Sequence, residues 1–282
     1  MASPSPTRPS IARRAKQWLL SGPSVLRDSR AMRGAFRLRE AAISAAGQRR
    51  DAEFTAPDGL PMPPARLRVA VAPNADPDNY IYAGRRSAAA IRAVLEGGGL
   101  RIEEFGSMLD FGCGSGRVVR EWRSLKGVEI FGSDYNADAI SWCAEHLPFA
   151  RFEVNGLEPP TPFDSERFEF VYALSVLTHL PENLQRPWLE ELHRILRPGG
   201  YLLITVAGES LRHHLAAGDA ERFDRGELIV HFPRSAGMNM CAVYHPRAYV
   251  DAMLGGSFEL IHAIPAGNAA GYPQDMYLAR VA

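Results

Sequence analysis

Apolar and polar positions follow two different spacings along this chain, and the spacings alternate in a regular order. Five short runs have the apolar or alternating pattern of β-strands and lie near 107–111, 128–134, 150–154, 168–174 and 200–206. Three segments repeat apolar residues every three or four positions, as helices do, and lie near 116–125, 136–146 and 183–196. This alternation predicts an α/β fold with a doubly wound, mostly parallel sheet.

The pattern continues on both sides of the alternating region. Before it, residues 87–95 predict an alanine-rich helix that ends in a run of three glycines. After it, a helix is predicted over about 246–254, with strands near 257–264 and 275–281. The segment 207–244 is longer than an ordinary connection, and long connections are often functional. We expect it to form a cap insertion.

The N-terminal part is strongly basic, although the formal net charge of the chain is zero. Residues 1–50 hold eleven Arg or Lys against two acids, a net charge of +9. Apolar residues at helical spacing between 11 and 19 include Trp18, and a second such set comprises Val25, Met32, Phe36 and Ile43. A basic amphipathic helix with a tryptophan suits peripheral contact with an anionic membrane, and a solvated or self-docked arm is the alternative.

The proline-rich stretch 57–64 separates the basic N-terminal part from the rest of the chain. We expect a basic helical N-terminal arm over 1–56, a Pro-rich linker over 57–78, and a domain over 79–282 that includes the cap at 207–244. The chain is 46% hydrophobic and 23% charged, which is typical of a soluble globular protein.

The distribution of cysteines and of apolar runs predicts a compartment. Three widely spaced cysteines without a C-x-x-C pair indicate reducing surroundings and no zinc site. No apolar run approaches the roughly 18 residues that cross a bilayer, and the N-terminus lacks the apolar core of a signal peptide. We therefore expect a cytoplasmic protein, with peripheral contact at the inner membrane surface through residues 1–50.

The segment from Asp110 to Gly116 is the clearest candidate for a ligand site. An apolar strand ends in Asp110, and Gly112, Gly114 and Gly116 follow at alternate positions before a helical pattern. Glycine lets a ligand lie against bare backbone, and a helix start offers unpaired N–H groups. The third glycine comes one residue too early for a dinucleotide fingerprint, and no Lys-Ser or Lys-Thr follows as in a P-loop. A plain glycine-rich turn is the alternative.

A second acid follows the next strand, which ends at Asp134. A carboxylate at that strand end can accept hydrogen bonds from both hydroxyls of a ribose. Tyr135 follows it and can lay an aromatic ring on a purine. The two strand ends together predict a nucleoside site.

With these motifs the chain resembles the class I S-adenosylmethionine-dependent methyltransferases from about Tyr80 to the C-terminus. The resemblance rests on D-F-G-C-G-S-G at 110–116, G-S-D-Y at 132–135, Asn155-Gly156 and the segment 168–206 with its L-R-P-G-G turn. It implies a seven-stranded sheet whose last strand is antiparallel and lies beside the sixth. It also implies S-adenosyl-L-methionine as the cofactor, methyl transfer as the activity and the cap as a cover over the acceptor.

The resemblance assigns cofactor-binding roles to particular positions. Gly112, Gly114 and Gly116 would pass beneath the cofactor, with Asp110 near its amino-acid end. Asp134 would bind the ribose, Tyr135 and Asn155 the adenine, and Ser175 would lie along the cofactor. Tyr82 and Arg85 would cover the methionine moiety. For several of these positions a purely structural role is the alternative: a loop-tying carboxylate at Asp110, a core aromatic at Tyr135, an Asn-Gly turn at Asn155, and helix packing at Tyr82 and Arg85.

Two histidines are candidates for a general base, which would help an alcohol acceptor lose its proton. His179 follows the fourth strand, and His245 lies at the end of the cap. Family members often carry a histidine at the first position without catalytic use, and a helix-capping role is the alternative for His245. The sequence Ala173–Val176 lacks the element of base amino-methyltransferases and the acidic cluster of magnesium-dependent enzymes.

We therefore expect a small-molecule, glycan or lipid-linked acceptor, with O- or N-methylation, no metal and no nucleic-acid partner. The acidic balance of the region after residue 50 also argues against a broad phosphate-binding surface. Two alternatives stay open: an aminopropyl transferase, and a non-catalytic protein of the same fold that docks to a membrane or partner. The sequence does not define an oligomeric state.

Overall fold

The computed structural model describes residues 29–51, 54–71, 74–268 and 273–282. Its helices are α1 (Arg30–Asp51), α2 (Ala65–Val71), α3 (Pro77–Gly97), α4 (Ala137–His146), α5 (Glu182–Ile195), α6 (Ala217–Asp224) and α7 (Arg247–Leu254). Its strands are β1 (Ser107–Phe111), β2 (Glu129–Asp134), β3 (Arg151–Val154), β4 (Phe168–Ala173), β5 (Leu196–Val206), β6 (Ile229–His231), β7 (Ala242–Tyr244), β8 (Phe258–Asn268) and β9 (Gln274–Val281).

Seven strands form one sheet in the order β3-β2-β1-β4-β5-β9-β8. β9 lies between β5 and β8 and is antiparallel to both, whereas the pairs from β3 to β5 are parallel. The predicted doubly wound sheet and its antiparallel last strand are confirmed. The strand order reverses at β1, whose neighbours are β2 and β4. In open α/β sheets a ligand binds in the crevice at the carboxyl ends of such strands.

Both faces of the central strands are buried, which explains the continuous apolar runs in the sequence. Leu109 of β1 and Val171 of β4 enter one hydrophobic core, while their neighbours Met108 and Phe170 enter the core on the opposite face. The Phe105 ring stacks on Phe170 with a centroid distance of 4.9 Å. The carboxyl ends of β1 and β4 therefore rise from a packed and rigid base.

The prediction of a helix over 116–125 is wrong, because the segment forms only a short 3-10 helix at Val119–Trp122. Val118, Val119, Arg120 and Trp122 are all buried. Consecutive buried positions do not fit the single buried face of a surface α-helix. The chain after the glycine loop is therefore held by side-chain packing and by the contacts of Arg120.

α3 is longer than the alanine-rich helix expected over 87–95, since it begins at Pro77. The Asp76 side chain caps it by accepting from the amides of Asp78 at 3.0 Å and Asn79 at 3.4 Å. Proline at the first helical position fits this start because its ring fixes a helical φ and no amide is lost. The Asp-Pro pair was the available signal for the longer helix.

The segment 57–78 was expected to be a linker, yet it contains α2 and packs on the domain. Asp58 forms a buried ion pair with Arg120, with Nε–Oδ2 at 2.6 Å and Nη2–Oδ1 at 2.8 Å. The buried Arg68 guanidinium donates to the carbonyls of Ala75 and Pro63. A two-point Arg–carboxylate contact fixes orientation as well as distance. These contacts hold the segment in one position over the carboxyl end of the sheet.

α1 shows how the described part of the basic arm is used. Its Ile43 packs on Ala65, Val69 and Ala75, and an added Cβ at Gly47 would lie 2.6 Å from the Ala75 Cβ. This close contact matches the self-docked alternative for residues 30–48. The helix expected from apolar positions between 11 and 19, and Val25 of the second set, lie outside the described residues. Among those that are described, no helix combines the length and hydrophobicity that a membrane crossing requires.

The segment 207–244 contains α6 and a two-stranded antiparallel ribbon formed by β6 and β7. The His245 amide donates to the Ala207 carbonyl at 2.9 Å and so joins the two ends of the segment. The insertion therefore leaves the sheet after β5 and returns to the same point before α7.

Candidate functional site

The glycine loop after β1 exposes its backbone at the carboxyl edge of the sheet. Gly112, Gly114 and Gly116 have φ values of 77°, 53° and 76°, a region that side chains other than glycine rarely adopt. A Cβ at Gly114 would lie 2.2 Å from Val71 Cγ1. The Gly112 amide donates to the Ser133 carbonyl of β2 at 2.8 Å, which fixes the loop against the neighbouring strand. The loop thus forms a fixed floor in which three glycines alternate with Cys113 and Ser115.

Asp134 ends β2 beside this floor. Its carboxylate accepts from the Gly114 amide at 2.8 Å and from the Asn136 amide at 2.8 Å, which joins the two strand ends. Burial raises the pKa of Asp134, while the hydrogen bonds from the Asn136, Gly114 and Tyr135 amides oppose that rise. The carboxylate is buried and still lines a cavity, where its remaining lone pairs could accept from a ligand.

That cavity lies above the carboxyl ends of β1, β2 and β4. Its floor is the glycine loop, and its walls come from residues 134–136, 155–157 and 174–180. Leu67, Ala70 and Val71 of α2 and residues 237 and 239 of the cap line it from above. With Trp188 of α5, the cavity therefore brings together residues from seven separate parts of the sequence.

Seven of the ten residues expected to bind the cofactor line this cavity. They are Asp110, Gly112, Gly114, Asp134, Tyr135, Asn155 and Ser175. The other three do not line it: Tyr82 and Arg85 are exposed on α3, and a Cβ at Gly116 would lie 2.6 Å from Leu147 Cδ1. Tyr82 instead accepts a hydrogen bond from Arg86 at 3.0 Å. The structure thus gives Gly116 a packing contact with the end of α4 and gives Tyr82 and Arg85 a place outside the cavity.

Asn155 carries an unused acceptor at the cavity wall. Its Nδ2 donates to the Gly156 carbonyl at 2.7 Å, whereas its buried Oδ1 has no hydrogen-bond partner among the described residues. A buried polar atom without a partner costs about 1–3 kcal/mol. Such an atom in a cavity wall is explained by a ligand that donates a hydrogen bond to it.

Asp110 lies beneath the glycine loop and is buried. Burial raises its pKa to about 7, with a hydrogen bond from Tyr172 acting against the rise and the nearby Asp134 carboxylate adding to it. The Tyr172 hydroxyl also accepts from Trp122 Nε1 at 2.8 Å, so the orientation of Asp110 is fixed by two aromatic residues. A carboxyl group of this kind becomes fully ionised when a cation binds close by.

Arg117 is a cation in the cavity wall that we did not expect from the sequence. Burial lowers its pKa, and the nearby Tyr80 and Asp110 act in the opposite direction. Within the described part of the chain, its guanidinium has no hydrogen bond or ion pair. A partly buried cation without a bonded partner favours an anionic ligand group beside it. The signal in the sequence was an arginine directly after the third glycine.

The two candidate bases lie in different surroundings. His179 lines the cavity, and its Nδ1 lies 2.7 Å from the Cys241 carbonyl oxygen. A carbonyl only accepts, so Nδ1 carries the proton and Nε2 keeps its lone pair. Burial lowers the pKa of His179, against the effect of the Cys241 hydrogen bond, and the ring is therefore neutral near pH 7.

His245 does not reach the cavity, which is a correction to its expected catalytic position. It is fully buried, and its Nε2 lies 3.1 Å from the Gln185 Oε1. Gln185 in turn donates to the Leu180 carbonyl at 2.8 Å. Burial lowers the pKa of His245 to about 3, so the ring is neutral. The helix-capping alternative does not hold either, since α7 begins after Pro246 without a side-chain cap, and His245 instead contacts Gln185 beside the turn after β4.

Ser175 holds the end of β4 in an unusual conformation, with φ at 60°. Its amide donates to Thr205 Oγ1 at 2.7 Å, and its hydroxyl accepts from Gln274 Nε2 at 2.8 Å. Thr205 Oγ1 donates to Gln274 Oε1 at 2.6 Å and closes this polar network. Strained backbone of this kind is often found where a binding site needs a fixed turn.

The comparison with protein families matches residues 109–204 to a methyltransferase domain. The malonyl-acyl-carrier-protein O-methyltransferase of Enterobacter lignolyticus (strain SCF1) is 33% identical over 133 residues, which is 45% of this chain and 47% of that protein. The fatty-acid O-methyltransferase of Mycolicibacterium smegmatis (strain ATCC 700084 / mc(2)155) is 33% identical over 102 residues, 36% of each chain. The chain thus spans about half the length, or less, of the curated relatives it matches.

Solved structures show the same fold. The 1,6-didemethyltoxoflavin-N1-methyltransferase of Burkholderia thailandensis superposes with a TM-score of 0.51 at 17% identity, covering 71% of this chain and 78% of that chain. A methyltransferase of Methanosarcina mazei gives a TM-score of 0.50 at 21% identity, covering 64% and 93%. Strand order, glycine loop and the matched domain agree with one another. Residues 109–204 thus match a methyltransferase domain, and the sheet around them has the fold of the class I S-adenosylmethionine-dependent methyltransferases.

Proposed function

We propose that this protein transfers the methyl group of S-adenosylmethionine to an oxygen or nitrogen atom of a small-molecule, glycan or lipid-linked acceptor. The observation that carries the proposal is the buried Asp134 carboxylate, which joins the glycine loop and faces the cavity. When bound, the cofactor supplies a methyl group that is already activated on a sulfonium. The chain then has mainly to orient the reactants, and orientation supplies on the order of 7–11 kcal/mol.

The residues of the cavity fit this cofactor. The free lone pairs of Asp134 would accept from the ribose hydroxyls, and the unpartnered Asn155 Oδ1 would accept from the adenine amino group. Tyr135 would lie beside the adenine. Gly112 and Gly114 line the cavity, and without a Cβ they let Val176 and Val71 lie directly against the loop. Asp134 and Asn155 thus offer acceptor atoms at the cavity wall, and the Asn155 Oδ1 is the one that the described residues leave without a partner.

We assign the methionine end of the cofactor to Asp110, Ser175 and Arg117. The Arg117 guanidinium offers its unpaired charge to the carboxylate of that moiety, a role first expected for Arg85. Asp110 lies on the same side, where it favours the cofactor's positive charge. Opposite charges at the two ends of one ligand segment fix its direction in the cavity.

His179 is the residue we propose as general base. Its Nε2 lone pair is free, its ring is neutral near pH 7, and it lies in the wall that follows β4. It would take the proton of a hydroxyl or amine acceptor as the new bond to carbon forms. A positioned base contributes about 10²–10⁴-fold.

Oxygen is the favoured acceptor atom. Both relatives described above are named O-methyltransferases, one of a malonyl carrier protein and one of fatty acids. Apolar side chains such as Leu67, Leu157 and Leu180 in the cavity wall suit an acceptor with an apolar part.

Two measurements test the proposed function. The midpoint temperature of unfolding is expected to rise with S-adenosylmethionine and with S-adenosylhomocysteine. At a ligand concentration of about a hundred times Kd, binding adds about 2.7 kcal/mol to the free energy of unfolding. A radiolabelled methyl donor, incubated with extract of the source cells, is expected to label an acceptor only in the presence of the protein. Asp134→Ala serves as the blank. A stable wild-type protein that neither ligand stabilises contradicts the proposal.

A further inference from the structure

Residues 237–241 of the cap, which we name the strap, cross the mouth of the cavity. On one side the Asn239 side chain donates to the carbonyls of Ala70 at 2.9 Å and Val69 at 3.3 Å in α2. The last carbonyls of a helix have no partner within the helix, so Asn239 acts as a distant cap of α2. The strap therefore holds α2, and with it Val71, above the glycine loop.

α1 takes part in the same contact through Glu40. Burial raises the pKa of Glu40, while Arg39 and a hydrogen bond with the Asn239 side chain act against the rise. Asn239 is thus the point where α1, α2 and the strap meet, although it is separated from α2 by about 170 positions in the chain.

The other side of the strap is bound to the residues proposed for adenine binding and for catalysis. The Gly237 carbonyl accepts from the Tyr135 hydroxyl at 2.8 Å, and the Gly237 amide donates to the His179 carbonyl at 2.8 Å. The Cys241 carbonyl accepts from His179 Nδ1 at 2.7 Å. The strap consequently determines which nitrogen of His179 is protonated.

We propose that the strap closes over the bound cofactor and that the same closure orients His179, with Asn239 as the positioning residue that holds the closed form. The inference rests on the proposed function, since it concerns the same cavity and the same base. A cavity covered by α2 from one side and by the strap from the other must open for cofactor and product to exchange. The base is then correctly oriented only while the cofactor is enclosed.

Asn239→Ala tests this role because it removes both hydrogen bonds to α2. We expect S-adenosylhomocysteine to dissociate from the variant about tenfold faster in stopped-flow measurements. This corresponds to about 1.4 kcal/mol, which one or two lost hydrogen bonds supply. The KM for the methyl donor is expected to rise by a similar factor. Asn183→Ala, at an exposed position of α5, is the matched control and is expected to leave both values unchanged.

The tautomer of His179 gives a second readout that loosened packing alone would not move. Nitrogen-15 spectra, assigned with His179→Asn, are expected to show the Nδ1–H form in the wild-type complex with S-adenosylhomocysteine. A mixture of the two tautomers is expected in Asn239→Ala. Tyr135→Phe, which removes only the hydroxyl bound to Gly237, is expected to act in the same direction and covers the case of poor folding in the first variant.

The possible results separate the two proposals. If S-adenosylhomocysteine dissociates from Asn239→Ala and from Tyr135→Phe at rates within twofold of the control, and the His179 tautomer is unchanged, the proposed closure by the strap is wrong. The proposed function is then unaffected. A folded wild-type protein that binds no S-adenosylhomocysteine overturns the proposed function and the strap with it.

Discussion

His179 and His245 show at the residue scale why chain position alone did not identify the base. Both follow or precede cavity elements in sequence, but only His179 has a ring nitrogen in the cavity wall. The His245 Nε2 instead contacts the Gln185 side chain in the interior of the protein. Which side of a turn a histidine faces depends on packing between distant segments, here the cap and α5, and no local pattern reports that packing.

His179→Gln is expected to lower kcat by about 10²–10⁴-fold, because the proton acceptor is lost while the cofactor contacts remain. The Kd of S-adenosylhomocysteine, measured by calorimetry, is expected to stay within about threefold of wild type. His245→Asn is the contrasting variant. It is expected to lower the free energy of unfolding by about 1–3 kcal/mol through the loss of buried contacts. Unaltered kcat in the His179 variant with a saturating acceptor would exclude the base.

Asp110 gives a prediction of pH dependence at the same scale. Its pKa is about 7 in the folded protein, against about 3.9 for an unfolded chain. The folded state therefore binds the additional proton between these values, and stability falls as pH rises from about 4 to about 7. We expect Asp110→Asn to remove this component, which amounts to as much as about 4 kcal/mol. Denaturant unfolding of wild type and variant at pH 4 and pH 8 measures it, and parallel changes in the two proteins would contradict the assignment.

At the scale of elements, the sequence predicts the strands better than the helices. The strands β1 to β5 lie within a few residues of the expected runs. For the central strands β1 and β4, burial on both faces leaves a continuous apolar signature, whereas the edge strand β3 is largely exposed. The helix predicted over 116–125 is instead a 3-10 segment at Val119–Trp122. Its Arg120 is buried because it pairs with Asp58, which lies 62 positions away in the chain. α2 was missed for a similar reason, since its buried Arg68 looks like a surface residue in the sequence.

Two glycines of α1 provide a matched test of its docking. A Cβ at Gly47 would lie 2.6 Å from Ala75 Cβ, whereas a Cβ at Gly34 meets nothing within 4 Å. Gly34→Ala is expected to stabilise the protein by roughly 0.5–1 kcal/mol through helix propensity. Gly47→Ala is expected to destabilise it by about 1–3 kcal/mol, because α1 must move away from Ala75 and from Ala65 of α2. Equal changes in the midpoint of chemical unfolding would show that α1 does not dock as described.

At the scale of the whole molecule, the distribution of charge leaves one role open for the N-terminal arm. The apolar Ile43 of α1 packs on α2, so this part of the arm does not offer it to a membrane. Peripheral contact with anionic lipid remains a prediction for the basic residues 1–28, which carry five Arg or Lys and one acid. The sequence predicted seven of the residues that line the cavity. It did not predict that α2, together with the cap, covers the cavity.

Removal of residues 1–28 is expected to lower sedimentation with vesicles that contain 30% phosphatidylserine, because the basic charges attract an anionic surface. The full chain is expected to lose its binding as salt rises from 50 to 500 mM. Vesicles of phosphatidylcholine alone serve as the control. If the shortened and the full chain sediment equally, the arm has another purpose.

The central claim is that Asp134 and the glycine loop together bind an adenosyl ligand, and isothermal titration calorimetry tests it most directly. We expect wild-type protein to bind both S-adenosylmethionine and S-adenosylhomocysteine. We expect Asp134→Ala to remain folded by circular dichroism and to bind each about 10²–10³-fold more weakly, the effect of losing charge-assisted hydrogen bonds. Asn183→Ala is expected to match wild type. Near-native affinity in a folded Asp134→Ala protein would contradict the account.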